Sequence, residues 1–310
     1  MSSDVVLMRQ QTAVWVWLLN WFGPLLHSSE LKGGREAVSY QQIEVEQEDR
    51  IATVWLNRAR YRNAQSRILL DEMTDAFRTL DYDNSVKVII LAGRGEHFSA
   101  GHDLGTPEEL ADQASRPFGE GTMARLNRSW HLFIENSLRW RDVKKPTIAA
   151  VQGYCIFGGF MVASCMDLII CSEDARFLPT HLQLFSAPWD LGIRKSKQIL
   201  FENRFIHAAE ALELGLVTEV VENGKHYEAA LIQAQKFAEN NLMTLRMLKH
   251  SINAAQDAMG YRQSVESAHS NYMMLEMSTQ AQQADKERSE RRLGGVADAL
   301  AKEQHGKPKP

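Results

Sequence analysis

Two glycine-centred turns, about fifty residues apart, are the part of this sequence best suited to chemistry. The first is Phe98–Leu104 (FSAGHDL) and the second is Gly153–Phe160 (GYCIFGGF). Each follows a short apolar run and leads toward a predicted helix start. Unpaired N–H groups at helix N-termini favour negative charge, and glycine lets a ligand approach the main chain closely. Brought together, the two turns predict an oxyanion hole, in which two N–H donors face one carbonyl oxygen.

Composition limits the classes of protein that this chain can belong to. Its 310 residues are 44% hydrophobic and 24% charged, with a net charge of −4, which predicts one large domain or a domain with appendages. The acidic balance gives no argument for nucleic-acid binding. Three cysteines, Cys155, Cys165 and Cys171, lie in apolar segments without Cys-x-x-Cys spacing. They predict reduced, buried thiols in a cytoplasmic protein, and no metal site.

The start of the chain is apolar and rich in tryptophan between residues 14 and 26. This segment is shorter than the roughly 20 residues that cross a bilayer, and Asn20, Gly23 and Pro24 interrupt it. Three interpretations stay open: an interfacial membrane anchor, a segment that packs on protein, or a dispensable extension. Because the basic face of a surface-bound helix is missing, the last two are favoured over membrane contact.

The elements that would position the two turns follow from hydrophobic spacing. A strand is predicted over Ile51–Leu56, followed by a helix that begins after Ser66. The polar segment Gly105–Gly121 predicts a mobile loop, and an amphipathic helix is predicted over Thr122–Trp140. From about Asn240 the spacing is helical again. The alternation of strands and helices predicts an α/β fold of stacked ββα units.

Further motifs appear in a fixed order along the chain. They are VWLNR at 54–58, RNA at 62–64, KPTIAAVQG at 145–153, DLII at 167–170 and ARF at 175–177. With the two glycine turns, they make the sequence from about Ile43 to about Asn271 resemble the crotonase (enoyl-CoA hydratase/isomerase) superfamily. The resemblance implies a spiral of ββα units followed by C-terminal helices that assemble trimers, often paired into hexamers. We therefore predict an N-terminal extension over 1–40, a spiral core over 41–240, and a helical oligomerisation region with a solvated charged tail over 241–310.

The resemblance also implies how the two turns act. The backbone N–H groups of His102 and Gly158 would form the oxyanion hole, and the substrate would be an acyl-CoA whose thioester is polarised toward an enolate. The alternative is that these glycines serve only tight packing.

The residues of the family's hydratase mechanism are not present. Where hydratases of the family carry two glutamates, this sequence has Met161 and His181. Methionine is not a base, so the two-glutamate mechanism is not expected. Asp190, between Trp189 and Leu191, is the best substitute, because a desolvated carboxyl has a raised pKa suited to proton transfer. The alternative for Asp190 is a helix N-cap. His181 is either a second acid–base group or a structural histidine.

Residues that would hold CoA follow from the same resemblance. Arg60, Arg62 and Ala64 stand where the family contacts the nucleotide and its phosphates. The other implied contacts, to adenine, pantetheine or phosphate, are Ala100, Asp103, Leu104 and Lys249. Guanidinium and ammonium groups suit phosphate oxygens. No cofactor beyond the CoA moiety of the substrate is expected.

The sequence therefore predicts a homo-oligomeric acyl-CoA enzyme, trimeric or hexameric, most similar to an enoyl-CoA hydratase or isomerase. Other reactions that use the same oxyanion hole stay open, namely decarboxylation, dehalogenation and C–C hydrolysis of an acyl-CoA. A non-catalytic acyl-CoA-binding or membrane-associated scaffold is a further alternative.

Overall fold

The computed structural model describes residues 39–179, 183–278, 299–300 and 303. The strands are β1 Ile43–Glu48, β2 Ile51–Leu56, β3 Val88–Gly93, β4 Thr147–Val151, β5 Tyr154–Ile156, β6 Leu168–Ser172, β7 Arg176–Leu178, β8 Ile206–His207 and β9 Glu219–Val221. The helices are α1 Arg67–Tyr82, α2 Pro107–Ser115, α3 Gly121–Ser129, α4 Asn136–Arg141, α5 Gly158–Ser164, α6 Ala187–Asp190, α7 Ile193–Glu202, α8 Ala208–Glu213, α9 His226–Ala238, α10 Leu242–Ala258 and α11 Tyr261–Glu276. The apolar N-terminal segment and His181 lie outside the described residues.

The larger sheet has the strand order β1-β2-β3-β4-β6-β9, antiparallel between β1 and β2 and parallel elsewhere. Its central strand β3 is buried on both faces. Ile89 and Leu91 pack into the main core, whereas Val88 and Ile90 pack toward α9 on the opposite face. Because side chains alternate along a strand, a continuous apolar run predicts such double burial.

The smaller sheet, β5-β7-β8, carries the glycine turns. Ser99 forms a parallel bridge with Cys155 of β5, and Gln65 forms one with His102. Segments that follow successive strands of the large sheet therefore lie side by side along the small one. This arrangement is the predicted spiral of ββα units, and the α/β fold is confirmed.

Helix α1 begins as the sequence predicts. The Ser66 side chain accepts a hydrogen bond from the Leu69 N–H at 3.1 Å, which caps the helix. Its apolar face, predicted from helical spacing, is buried in the core through Leu69, Met73, Ala76, Phe77 and Leu80.

The prediction of a mobile loop over Gly105–Gly121 is wrong in part, because helix α2 occupies Pro107–Ser115. The Thr106 side chain caps this helix by accepting from the Glu109 N–H at 3.4 Å. Proline at the first helical position and glutamate in the first turn complete a standard N-terminal signal. The abundance of polar residues concealed this signal.

The predicted long helix over Thr122–Trp140 is present as one helical run from α3 through α4, interrupted by a π-helical turn over Trp130–Glu135. The Asn136 N–H bonds to the His131 carbonyl, five residues earlier. Such wide turns occur often at functional sites.

The described residues of the C-terminal region are helical as predicted, but not all of them are solvated. Ala299 is fully buried beside Ile156 and Phe205, and Glu303 pairs with Arg176 at 3.2 Å. This part of the predicted solvated tail is therefore packed against the small sheet. None of the described helices is long and apolar enough to cross a membrane.

Candidate active site

The two glycine turns lie against each other in the structure. A Cβ atom built on Gly101 would lie 3.2 Å from the Gly158 nitrogen and 2.7 Å from the Ile156 carbonyl oxygen. The Ser99 N–H donates to the Tyr154 carbonyl at 2.9 Å, and the Ser99 carbonyl accepts from the Ile156 N–H at 3.0 Å. The juxtaposition that the sequence predicts is thus present.

The two main-chain N–H groups implied for the oxyanion hole are unpaired among the described residues. The His102 N–H points away from Gln65, since the ladder there uses the neighbouring Gly101 carbonyl and the Asp103 N–H. Gly158 is the first residue of α5, so its N–H has no acceptor within the helix. The residue before it, Phe157, has φ = 44°, a strained conformation for a side chain of this size. Whether these groups bind a carbonyl oxygen stays a prediction.

Packing alone already requires glycine in the second turn. A Cβ atom on Gly158 would lie 2.5 Å from Gln65 Oε1 and 2.7 Å from His102 Nδ1, and one on Gly159 would lie 2.6 Å from the Ser99 carbonyl. The packing and catalytic explanations of these glycines are therefore compatible.

The His102 side chain is held in the site by contacts that the sequence did not reveal. Its Nε2 lies 2.8 Å from Gln183 Oε1, and its ring stacks on Phe133 with centroids 4.0 Å apart. Burial lowers the pKa of His102 to about 4, with the nearby Arg128 charge adding to the effect and the Gln183 bond opposing it. The neutral ring donates from Nε2 to Gln183, which leaves Nδ1 as a buried acceptor without a partner among the described residues.

A cavity of about 440 Å³ opens beside His102. Apolar side chains of Leu70, Leu132, Phe133 and Met273 form part of its wall. Its polar lining includes Gln65, His102, Asp103, Gln183, Arg125 and Arg128. The helical run through Trp130 thus contributes to the wall of this cavity.

Asp190 has the environment predicted for it but lies away from this cavity. Burial raises the pKa of its carboxyl group to about 6, and the nearby hydroxyls of Ser186 and Ser164 oppose the rise. Neither hydroxyl completes a hydrogen bond to Oδ2, which is buried without a partner among the described residues. Ser164 ends α5, about 9 Å along the helix from Gly158. Asp190 is the last residue of α6, and Gly192 caps α7, so the helix N-cap alternative is wrong.

Met161 lies inside α5 and is buried, with 2% of its surface exposed. It packs in the main core and offers no proton-transfer group near Gly158. His181, which the sequence places at the second glutamate position, lies outside the described residues.

The residues predicted to contact the nucleotide group around one turn. Arg60 and Arg62 are exposed, and Arg60 pairs with Glu108. The main chain connects this turn to the first glycine turn, because the Ala100 N–H donates to the Arg62 carbonyl at 2.9 Å. The Ala64 carbonyl accepts from the Arg58 guanidinium at 2.5 Å.

Three further predicted CoA contacts differ in their surroundings. Asp103 is buried and accepts hydrogen bonds from the Thr106 N–H at 2.8 Å and from Arg58 at 2.8 Å. Burial alone would raise its pKa, but these bonds outweigh the effect and lower it. Leu104 is 97% exposed and lines the cavity beside His102. Lys249 is 7% exposed, and its Nζ pairs with Asp167 at 2.8 Å.

Comparison with known proteins identifies the family. The model of the enoyl-CoA hydratase/isomerase family matches residues 46–292. The chain belongs to the enoyl-CoA hydratase/isomerase family. It is therefore an enzyme of the crotonase superfamily, a lyase or an isomerase, and the interpretation as a non-catalytic scaffold is not retained.

Relatives and solved structures of this family cover most of the chain. A Mycobacterium tuberculosis protein named "Putative enoyl-CoA hydratase EchA13" is 35% identical over 77% of this chain and 82% of its own length. The hydroxycinnamoyl-CoA hydratase-lyase of Pseudomonas fluorescens is 32% identical over 70% of this chain and 80% of its own. The crystal structure of an enoyl-CoA hydratase/isomerase from Xanthobacter autotrophicus Py2 aligns with a TM-score of 0.71 and 29% identity, covering 87% of this chain and all of that one.

Proposed function

We propose that this enzyme binds an acyl-CoA and stabilises the enolate of its thioester with the backbone N–H groups of His102 and Gly158. One observation carries the proposal: two unpaired main-chain donors lie on adjacent turns, with Gly101 packed against the Gly158 nitrogen. Donors that are already in position need no rearrangement during the reaction. They therefore stabilise the negatively charged enolate oxygen more than the neutral thioester carbonyl.

The proton that leaves or joins the acyl group needs a second residue, and we assign it to Asp190. A carboxyl group with a pKa near 6 exchanges protons readily around neutral pH, and its Oδ2 has no partner among the described residues. Since Met161 occupies the first glutamate position, hydration by a glutamate pair does not carry over. The reaction closest to this arrangement is hydratase- or isomerase-like chemistry with one carboxyl group.

For the CoA moiety, Arg60 and Arg62 are the side chains best placed to meet phosphate. Both are exposed beside the turn that bonds to the first glycine turn. Arg60 pairs with Glu108 at the surface, whereas Lys249 is buried and would first have to leave Asp167, so we give Lys249 no role in binding.

The test is the Asp190→Asn variant, assayed with crotonyl-CoA, malonyl-CoA and a β-ketoacyl-CoA, with products followed by mass spectrometry. We expect turnover of one thioester by the wild type, and its loss in the variant with acyl-CoA affinity kept. Asp49→Asn is the matched control, because Asp49 is exposed in the turn between β1 and β2. Full activity of Asp190→Asn would remove Asp190 from the mechanism.

One observation favours a second candidate for the proton carrier. His102 lines the cavity and has a free Nδ1 lone pair, whereas Asp190 does not line it. The two differ in the pH at which they titrate. If Asp190 is the base, kcat/KM rises with pH through about 6, and if His102 is the base it rises through about 4.

A further inference from the structure

The end of the cavity formed by α3 carries two arginines, Arg125 and Arg128. Most cavities for hydrocarbon chains are lined by apolar side chains with few polar groups. A guanidinium group on such a wall is met by water, by a protein acceptor or by a ligand, so the partners of these two groups decide what the cavity can hold.

The arginines of this region differ in how many of their guanidinium N–H groups have a hydrogen-bond acceptor. Arg67, which also lines the cavity, is held by Asp112 at 2.5 Å and by the Arg116 carbonyl at 2.6 Å. In contrast, the Arg128 side chain is 41% exposed, but its Nε is buried and has no acceptor among the described residues. Arg125 is exposed and forms no ion pair with another residue of the described chain. Donor capacity is therefore left over at this end.

The two carboxylates nearby do not use that capacity. Glu109 forms a long ion pair with the Arg128 guanidinium at 3.9 Å, beyond hydrogen-bond distance. Its oxygens already accept from the Arg67 N–H at 2.8 Å and from Gln113 at 2.6 Å. Glu276 is exposed on α11 and forms no ion pair within the described residues. The local charges balance, so an anion would be held by hydrogen-bond geometry and not by net charge.

The position of Arg128 relative to the two glycine turns indicates the length of acyl chain that would reach from the turns to this arginine. Phe133, five residues further along the same helical run, stacks on the His102 ring. Five residues correspond to roughly 7 Å along a helix axis. An extended chain of about five or six bonds spans that distance at roughly 1.2 Å per bond. Leu132 and Met273 line the cavity and offer apolar surface for such a chain.

We infer that the acyl group of the substrate ends in a carboxylate, at about the sixth carbon of the acyl chain, which binds Arg128 and Arg125. The planar guanidinium fork matches a carboxylate in two-point geometry. The inference rests on the proposed function, because it places the thioester at His102 and Gly158.

The experiment compares two CoA thioesters of equal chain length by isothermal titration calorimetry of the full chain. Hexanoyl-CoA has a methyl end, and adipoyl-CoA, the mono-thioester of the six-carbon dicarboxylic acid, has a carboxylate end. We expect the wild type to bind adipoyl-CoA about tenfold more tightly or better, as a charge-assisted hydrogen bond would give. Arg128→Met should remove most of this preference and leave hexanoyl-CoA binding unchanged.

Two further variants make the result specific. Arg139→Met is the matched control, because Arg139 lies on the same helical run, is paired with Glu135 and does not line the cavity. Arg128→Lys keeps the charge but loses the fork, so it should keep part of the preference. It also serves as the test if Arg128→Met does not fold.

The outcomes separate the two proposals. Equal affinity of the wild type for both thioesters, or tighter binding of hexanoyl-CoA, overturns the inference and leaves the proposed function intact. The same holds if Arg128→Met weakens both thioesters and free CoA alike, since the arginine would then bind the nucleotide. If the wild type binds no CoA thioester, the proposed function fails and the inference fails with it.

Discussion

Replacing Gly158 by alanine tests the oxyanion hole most directly. The added methyl group would lie 2.5 Å from Gln65 Oε1 and 2.7 Å from His102 Nδ1 and Cε1, distances that real Cβ contacts do not show. Both neighbours are side-chain ends, so they can move, but His102 can move only by disturbing its bond to Gln183. Overpacking of this kind costs about 1–3 kcal/mol of stability.

The effect on turnover should be larger than the effect on folding. Alanine keeps the backbone N–H, so this variant acts by displacing the donors, and complete loss of one oxyanion donor lowers kcat by about 10²–10³. Because the methyl group pushes on the residue that supplies the other donor, we expect a loss of about 10² or more in kcat. The assay is steady-state turnover of the wild-type substrate, together with thermal unfolding.

Gly224→Ala is the control for this comparison. Gly224 has φ = 83° in open space before α9, so alanine there is strained without a clash. It should lose about 1–2 kcal/mol of stability and keep its activity per folded molecule. If Gly158→Ala shows a similar loss of stability and an unchanged kcat, Gly158 serves packing alone and the proposed chemistry is refuted.

Three more predictions follow from charges and exposed surface. Because burial raises the pKa of Asp190 to about 6, the folded protein keeps its full stability below about pH 4 and loses stability as pH rises through 6 and this carboxyl group ionises. Asp190→Asn should therefore be more stable than wild type by roughly 3 kcal/mol at pH 8 and equally stable at pH 4, measured by denaturant unfolding. The lowered pKa of His102 means that stability present above about pH 6.5 is lost as pH falls through 4, by roughly 3 kcal/mol, and His102→Asn should flatten this loss in the same measurement. Helix α10 exposes an apolar face that includes Ile252, 67% exposed, so we expect a homo-oligomer through this face that Ile252→Glu dissociates, as seen by light scattering; an unchanged mass would exclude this surface.

The glycine turns could be predicted from sequence because glycine is needed where the main chain has a positive φ or lies too close to a neighbour for a side chain. Gly101 has φ = 92° and meets main-chain atoms of the other turn, so no larger residue fits there, and Gly158 meets the side-chain ends of Gln65 and His102, which must shift to admit one. The capped start of α1 at Ser66 was predictable for the same reason, since its hydrogen bond spans three residues. Patterns within a few residues of sequence therefore predict the two turns and the start of helix α1.

Charged residues were harder to place, because their roles depend on distant partners. Lys249 binds Asp167, and Asp103 binds Arg58 across 45 residues of sequence. A lysine or an aspartate looks the same in sequence whether it faces solvent, a ligand or such a partner. The bond between His102 and Gln183 spans 81 residues and leaves no local pattern at all.

The π-helical turn over Trp130–Glu135 means that deletion of one residue would change the winding of the helix that lines the cavity. Removing a single residue there would restore ordinary α-helical winding, and each residue corresponds to about 100° of rotation. Arg125 and Arg128 would then face a different direction relative to Phe133, while the sheet and both glycine turns kept their positions. Under the proposed function, deletion of one codon would thus place another surface of the same helix at the arginine end of the cavity and change substrate choice, without altering the two glycine turns.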